Sequence, residues 1–174
     1  MSTTDPDARV MKMADGGYRP AYNVQLATDV DTRVIVGVDV TNLGSDRAAL
    51  LPMLDQVRRR TGRQPLAHLV DGGFFTKEGL TAATMRGVTV YAPLPTCRDA
   101  TVDPATPVHG DPPPVAAWRA RMTTQAGTAI YKQRGATAEW VNADGRAHRV
   151  SMPSPSADCS ACTPGRFGWR SRIT

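Results

Sequence analysis

The chain has 174 residues, which is enough for one domain with a hydrophobic core of ordinary size. Hydrophobic residues make up 41% of it, but no apolar run reaches the length of a membrane span, and the N-terminus lacks the basic start and apolar core of a secretory signal. From these features we expect a cytoplasmic protein with no membrane partner.

The net charge of +5 is distributed unevenly along the chain. Residues 1–113 carry 12 Lys and Arg against 13 Asp and Glu, whereas residues 114–174 carry 9 against 3. A basic surface binds phosphates without sequence preference, but arginine-rich tails are often only solvated. The charge therefore indicates a nucleic-acid partner only if the C-terminal part of the chain is native structure.

The first predicted elements are an N-terminal arm and two antiparallel strands. Residues 1–17 are polar and read as an arm, in which Asp5-Pro6-Asp7 favours a turn. Apolar and polar residues alternate over 22–27, the period of a half-buried strand, and residues 34–38 predict a second strand. Because the turn between them is short, the two strands should be antiparallel.

A helix is predicted after the second strand. Ser45 is expected to cap its N-terminus, and Asp46 would then lie in the first turn, where a carboxylate favours the helix dipole. The apolar stripe that follows consists of Leu50, Leu51, Leu54 and Val57. Three arginines at 58–60 and Gly62 suit the C-terminus, so this charge run needs no functional partner.

Alternating strands and helices are predicted next. An apolar strand runs to Val70 and is followed by Asp71, a helix over about 76–86 and a short strand over 88–92. Residues 93–115 are rich in Pro, Thr and Asp and should be a loop insertion. A short helix over 116–125 and a longer one over about 128–143 follow. This order predicts an α/β fold with a mixed sheet.

Two acidic residues of this pattern stand where a metal site would be built. Asp71 lies at the carboxyl end of a buried strand, where open α/β sheets bind ligands, and Glu139 lies on the long helix. Phosphodiester chemistry commonly uses divalent cations that require several hard oxygen ligands from separate elements. The alternatives are that Asp71 is a turn acid that caps the next helix and that Glu139 is a solvated helical acid.

Four stretches of the sequence together resemble the catalytic domain of bacterial insertion-sequence transposases of the DDE class. In chain order they are Asp5-Pro6-Asp7-Ala8-Arg9-Val10-Met11-Lys12; Gly17-Tyr18 with Tyr22-Asn23-Val24-Gln25; Val70-Asp71-Gly72-Gly73-Phe74; and Tyr131-Lys132-Gln133-Arg134 with Glu139-Trp140-Val141-Asn142-Ala143. The third resembles the family's DxGY strand end, with Phe74 where tyrosine is usual. The last resembles its YxxR…E signature. The resemblance covers roughly residues 5–148.

The resemblance implies a fold, a site and a chemistry. It implies an RNase H-like mixed sheet flanked by helices, missing the first strand and the closing helix, with residues 18–148 as the catalytic domain. Asp71 and Glu139 would be the catalytic acids and would bind Mg²⁺ or Mn²⁺ weakly. Tyr131 and Arg134 would be signature or phosphate-contacting residues. The partners implied are DNA at the element ends and a second copy or an intact transposase.

The family's first acid is expected upstream of the matched segment, so the chain would lack it. Asp29 and Asp31 lie in a predicted turn and are poor substitutes, and Asp39 lies on the second strand. On an ideal helix Arg134 lies about 140° from Glu139, since successive residues turn about 100°. Arg134 would therefore precede the helix proper or serve DNA phosphates. Lys132 reads as a surface lysine.

Cysteine and histidine chemistry find no support in the sequence. Three cysteines, Cys97, Cys159 and Cys162, are too few for a disulfide framework. The last two form a C-x2-C pair without a second pair of ligands, so no zinc site is expected. His68 lies inside an apolar strand, where a packed histidine is the simpler interpretation.

Residues 149–174 are expected to be an irregular tail that results from a frameshift. Residues 155–174, back-translated with G+C-rich codons and read two nucleotides later, give a peptide with helical apolar spacing. The 18 Arg against 3 Lys fit a G+C-rich gene. Three functional hypotheses follow: an inactive transposase remnant, one piece of a split enzyme, or a DNA-binding or subunit-binding fragment that modulates an intact transposase.

Overall fold

A computed structural model of the chain describes residues 5–13, 16–96, 103–144 and, for the backbone alone, 170–173. Within these residues there are seven strands and four helices. The strands are β1 (Arg9–Lys12), β2 (Tyr18–Ala21), β3 (Asn23–Thr28), β4 (Ile35–Thr41), β5 (Ala67–Leu69), β6 (Thr89–Tyr91) and β7 (Arg170–Ile173). The helices are α1 (Leu50–Thr61), α2 (Lys77–Met85), α3 (Pro113–Thr123) and α4 (Gln125–Asp144).

The described strands form three short sheets, whereas the sequence predicts one mixed sheet. β1 pairs with β2, β3 lies between β4 and β7, and β5 pairs with β6. The β3–β4 pair is antiparallel, as predicted, and β5–β6 is parallel. Because β3 and β5 are not hydrogen-bonded to each other, the fold is a mixed α/β structure whose sheets remain separate in the part of the chain described.

The N-terminal arm provides one strand of a hairpin that the sequence does not predict. β1 pairs antiparallel with β2, from Arg9 opposite Ala21 to Lys12 opposite Tyr18. Pro20 lies in β2, and a proline in a strand is a signal against sheet structure unless the strand is at an edge. The predicted turn at Asp5-Pro6-Asp7 is confirmed, because Asp5 Oδ1 accepts the Asp7 N–H at 3.0 Å.

The start of α1 corrects the prediction made for Ser45 and Asp46. The helix begins at Leu50 with Ala49 as its N-cap residue, and no side chain caps it. Asp46 is instead buried, with 2% of its surface exposed, and accepts hydrogen bonds from β3. The predicted C-terminus is confirmed, since the arginines at 58–60 lie in the last turn and Gly62 adopts a left-handed φ of 70°.

The predicted strand, turn and helix around Asp71 are confirmed within a residue or two. Val70 N–H donates to the Tyr91 carbonyl at 2.8 Å, which extends the β5–β6 pairing to the residue before Asp71. Thr76 caps α2, its Oγ1 accepting the Gly79 N–H at 2.9 Å. Thr76 therefore serves as the N-cap of this helix, and the alternative that Asp71 caps it is wrong.

The main core lies between the β5–β6 sheet and helices α2 and α3. Phe74, Leu80, Val115 and Trp118 are fully buried there. Phe75 stacks on Trp118 with ring centroids 4.3 Å apart, and the indole N–H donates to the Ala92 carbonyl at 3.1 Å. A smaller cluster of Ala27, Met53 and Val57 joins β3 to α1. These contacts fix the carboxyl end of β5 and the turn that follows it.

The helices after the insertion begin earlier than predicted. α3 begins at Pro113, where a proline suits the first helical turn because its missing N–H needs no partner. α4 begins at Gln125 and runs for 20 residues without interruption. Arg134 therefore lies within α4, so of the two alternatives given for this residue the one in which it precedes the helix is wrong.

The tail is described at four residues only. Arg170–Ile173 form β7, which pairs parallel with Asn23–Leu26 of β3. The irregular structure expected for the rest of residues 149–174, and its origin in a frameshift, stay predictions. Residues 149–169 and 174, with Cys159 and Cys162, lie outside the described residues, as does Cys97. In the part of the chain that the structure describes, no helix is long and apolar enough to span a membrane.

Candidate functional site

The carboxylate of Asp71 lies in the turn directly after β5. Its Oδ1 accepts the Gly73 N–H at 2.8 Å, and its main-chain carbonyl accepts the Phe74 N–H at 3.2 Å. The side chain is 22% exposed, while the flanking Val70 and Phe74 are fully buried. The turn therefore holds one carboxylate oxygen by the backbone and leaves the other directed toward α4.

The second oxygen of Asp71 meets a cation from α4. Arg134 Nη2 lies 3.4 Å from Asp71 Oδ2, and the arginine side chain is 20% exposed. Tyr131 stands one helical turn before Arg134 on the same face. Burial raises the pKa of the Tyr131 phenol, the charge and hydrogen bond of Arg134 lower it, and the charge of Asp71 raises it. The YxxR residues and Asp71 thus form one contiguous group.

Glu139 lies on α4 five residues beyond Arg134, on an exposed part of the helix. On an ideal helix this separation is about 140° around the axis and about 7.5 Å along it. The buried residues of this part of the helix are Thr137 and Val141, which follow Arg134 at intervals of three and four. Asp71 is therefore paired with Arg134, and a shared site for Asp71 and Glu139 remains a prediction.

The other acids considered from the sequence have structural roles. Asp29 Oδ1 accepts the Thr32 N–H at 2.7 Å and its hydroxyl at 2.6 Å, and this hydroxyl is the main reason that the pKa of Asp29 is lowered. Asp31 lies in the same exposed turn. Asp39 is exposed on β4 and accepts the Val40 N–H at 3.0 Å. These three acids belong to a turn and a strand surface.

A groove of about 650 Å³ lies between β3, β5, α1 and α4. Its walls include Ala27, Val57, Leu69 and Ile130, with Arg134 also on the lining. His68, which the sequence suggests is packed, is 6% exposed and lines the same groove. The groove separates the β4–β3–β7 sheet from the β5–β6 sheet, and the Arg134 guanidinium lies between this groove and Asp71.

A buried polar network beneath β3 was missed by the sequence analysis. Asp46 Oδ1 accepts hydrogen bonds from the Asn23 side-chain amide and from Gln25 Nε2, the latter at 3.0 Å. Both amide side chains are buried, at 4% and 0% exposure. Asn23 and Gln25 occupy alternate positions on β3, so they share a face, and that alternation was the signal that could have indicated an inward polar surface.

A second network holds the insertion against the core. Asp111 lies 2.5 Å from Lys77 Nζ and 2.9 Å from Arg119 Nε, and its side chain is 1% exposed. The hydrogen bond from Lys77 is the largest effect on the Asp111 carboxyl and lowers its pKa to about 2, with Val108 and Arg119 acting in the same direction. Because both cations belong to helices, this network anchors the described part of the loop, residues 103–112.

The described residues do not fit a divalent-cation centre as they are arranged. Mg²⁺ and Mn²⁺ require several oxygen ligands, and among residues 5–13, 16–96 and 103–144 no group of three His, Cys, Asp or Glu side chains could hold a metal ion. Asp71 has one oxygen engaged by a backbone N–H and the other by Arg134. A carboxylate is a suitable ligand for Mg²⁺, but the group that contacts Asp71 Oδ2 is the positively charged guanidinium of Arg134.

Comparison with known proteins gives one family match. The family model described as Transposase DDE domain matches residues 2–149, which include both Asp71 and the YxxR…E segment. No curated protein matches the chain significantly, and no solved structure does so.

Proposed function

Because the chain belongs to the Transposase DDE domain family, its function is related to transposition, and we propose that it binds DNA but has little or no cleavage activity by itself. The reaction of the family is metal-dependent phosphodiester cleavage and strand transfer, for which Asp71 and Glu139 are the proposed acids. We also propose that the strands and helices belong to an RNase H-like fold. The expected partners are DNA at the element ends and an intact transposase.

One observation carries this proposal: Asp71, the acid at the end of a buried strand, is paired with Arg134. Two-metal phosphoryl chemistry needs carboxylates that converge on cations about 3.5–4 Å apart. One carboxylate whose second oxygen faces a guanidinium does not supply that ligand set. The proposed activity is therefore DNA binding without efficient cleavage.

The DNA-binding part of the proposal rests on the charge of α3 and α4. Lys132 is exposed on α4, two residues before Arg134, and residues 114–144 carry Arg119, Arg121, Lys132 and Arg134 against Glu139 and Asp144. Arg119 is already neutralised by Asp111. An exposed cation on a helix can contact a DNA phosphate, and each such contact makes affinity depend on salt. Lys132 is the residue best placed for this role.

The proposal is tested by measuring binding and cleavage on the same preparation. Fluorescence anisotropy with a labelled DNA duplex, from 50 to 200 mM salt, should show affinity that falls steeply with salt. Incubation with supercoiled plasmid and millimolar Mn²⁺ should give no more nicked product than the buffer control. Mn²⁺-dependent nicking that Asp71→Asn abolishes would show that the chain is an active nuclease and would refute the inactive assignment.

A second candidate function is supported by one edge of β5, a strand that pairs with β6 alone among the described strands. In a parallel pair the backbone groups of alternate residues point to opposite sides of the strand. The Leu66 carbonyl accepts the Thr89 N–H, and the Val70 N–H donates to the Tyr91 carbonyl, so both residues are hydrogen-bonded on the β6 side. The N–H and C=O groups of Ala67 and Leu69 therefore point toward the groove. An open strand edge is a template for a strand from another chain. We propose as the alternative that this edge pairs with a strand of an intact transposase.

Copurification tests this alternative. A tagged copy of the chain should retain an intact transposase of the same element, and Leu69→Pro should reduce that retention because proline removes the N–H directed into the groove. Circular dichroism would establish that the variant remains folded. Equal retention by a folded Leu69→Pro variant would contradict pairing at this edge.

A further inference from the structure

The contact between Arg134 and Asp71 has the charge of an ion pair but not its usual geometry. Arg134 Nη2 lies 3.4 Å from Asp71 Oδ2, whereas charge-assisted N–H···O bonds are usually about 2.7–2.9 Å long. The Arg134 Nε is buried and has no hydrogen-bond partner among the described residues. Besides its hydrogen bond with Tyr131, the guanidinium thus makes one long contact with the carboxylate, although its planar fork suits two parallel bonds to such a group.

The position of this guanidinium conflicts with cation binding at the same carboxylate. Asp71 Oδ1 already accepts the Gly73 N–H, so a cation would bind this carboxylate through Oδ2. Arg134 approaches that oxygen from α4, the same helix that carries Glu139. A dication beside Oδ2 would lie within a few ångströms of a positive charge, and the two cations would repel each other.

We infer that Arg134 is an internal counter-cation of Asp71, which excludes divalent cations from this carboxylate until the guanidinium moves away. The inference rests on the proposed function for its biological meaning, because a DNA phosphate is the group that would compete for the guanidinium. Phosphate and carboxylate are both suited to the fork of arginine. DNA binding and release of Asp71 are then coupled through one side chain.

The size of the effect follows from Coulomb's law. A unit charge about 5 Å from a dication, in a water-like dielectric, weakens cation binding on the order of tenfold. Replacing Arg134 with glutamine removes that charge but keeps a polar side chain of similar reach. Removing a distant exposed arginine should change cation affinity by only about twofold or less, because salt screens charges beyond about 10 Å.

Manganese binding tests the inference directly. Electron paramagnetic resonance measures free Mn²⁺ during a titration of the wild-type chain, Arg134→Gln, Asp71→Asn/Arg134→Gln and the control Arg59→Gln, whose arginine is exposed on α1. We expect Arg134→Gln to bind Mn²⁺ about tenfold more tightly than the wild type. The double variant should lose this gain, and Arg59→Gln should resemble the wild type. Circular dichroism confirms that each variant is folded.

A second readout uses DNA without any metal. In EDTA, Asp71→Asn releases Arg134 and should tighten binding of a DNA duplex by anisotropy, whereas Asp71→Asn/Arg134→Gln should lose that gain. Equal Mn²⁺ affinity of the wild type and Arg134→Gln would overturn the inference, and so would a gain that survives the loss of Asp71. If no variant binds DNA, the proposed function fails, and the Mn²⁺ titration still decides whether Arg134 excludes the cation.

Discussion

The buried carboxylate of Asp46 joins the loop before α1 to β3, and removing it should strongly destabilise the fold. Its Oδ1 accepts hydrogen bonds from the side chains of Asn23 and Gln25, both buried. Asp46→Ala leaves the Gln25 amide without that acceptor and leaves the Asn23 amide with the Leu43 carbonyl, which is 3.5 Å away. Each such loss costs about 1–3 kcal/mol, so we expect a total of about 2–6 kcal/mol. Domains of this size are stable by only about 5–15 kcal/mol.

Two further variants separate the network from the general effect of losing a carboxylate. Asp46→Asn keeps the shape and one carbonyl acceptor, so its cost should be smaller, since neutral hydrogen bonds are about half as strong as charged ones. Asp55→Ala removes an acid that is 48% exposed and paired with Arg86 at 2.7 Å. Exposed pairs contribute about 0–1 kcal/mol, so this control should change stability little.

Urea denaturation followed by circular dichroism measures these free energies of unfolding. The expected order of stability is wild type, Asp55→Ala, Asp46→Asn and Asp46→Ala, with similar slopes in urea. If Asp46→Ala costs no more than Asp55→Ala, then Asp46 is not the acceptor that satisfies the two amides. The account of β3 as a strand with a buried polar face would then be wrong.

Three other predictions follow from single contacts. Gly37→Ala should destabilise the chain by about 1–3 kcal/mol in urea denaturation, because a Cβ there would lie 2.6 Å from Met53 Sδ. Gly44→Ala should be nearly neutral, because a Cβ there would have no neighbouring atom within 4 Å. Equal effects of the two variants would contradict tight packing of α1 on β4. The pKa of Asp111 is lowered to about 2, so the stabilisation from this carboxylate should be fully present above pH 4 and decrease as the pH falls toward 2. The urea midpoints of the wild type and Asp111→Asn should therefore converge over that range. A constant gap between them would contradict the ion pairs. Lys132→Gln should reduce the slope of log affinity against log salt for DNA by about 1, and an unchanged slope would show that Lys132 makes no phosphate contact.

The sequence predicts those elements whose signals are local. The alternation over residues 22–27 predicts β3, and the helix expected over about 76–86 is α2, Lys77–Met85. The position of Asp71 at the end of a short buried strand is likewise confirmed. In each case the pattern of apolar residues and the turn chemistry point to the same structure.

The features that were missed depend on partners far apart in the sequence. Asp46 follows Ser45 and resembles a helix start, but its carboxylate bonds to side chains more than 20 residues earlier. Asp111 lies in a proline-rich stretch that reads as loop, yet two helices pair with it. The contact of Arg134 with Asp71 could not be predicted, because it depends on how α4 is rotated against the β5 turn.

The arrangement at Asp71 is the central claim, and a crystal structure of the wild-type chain grown with Mn²⁺ tests it most directly. Anomalous scattering at the manganese edge should show no peak beside Asp71, and Arg134 should remain in contact with its carboxylate. A manganese peak coordinated by both Asp71 and Glu139 would contradict the account and would establish the shared cation site.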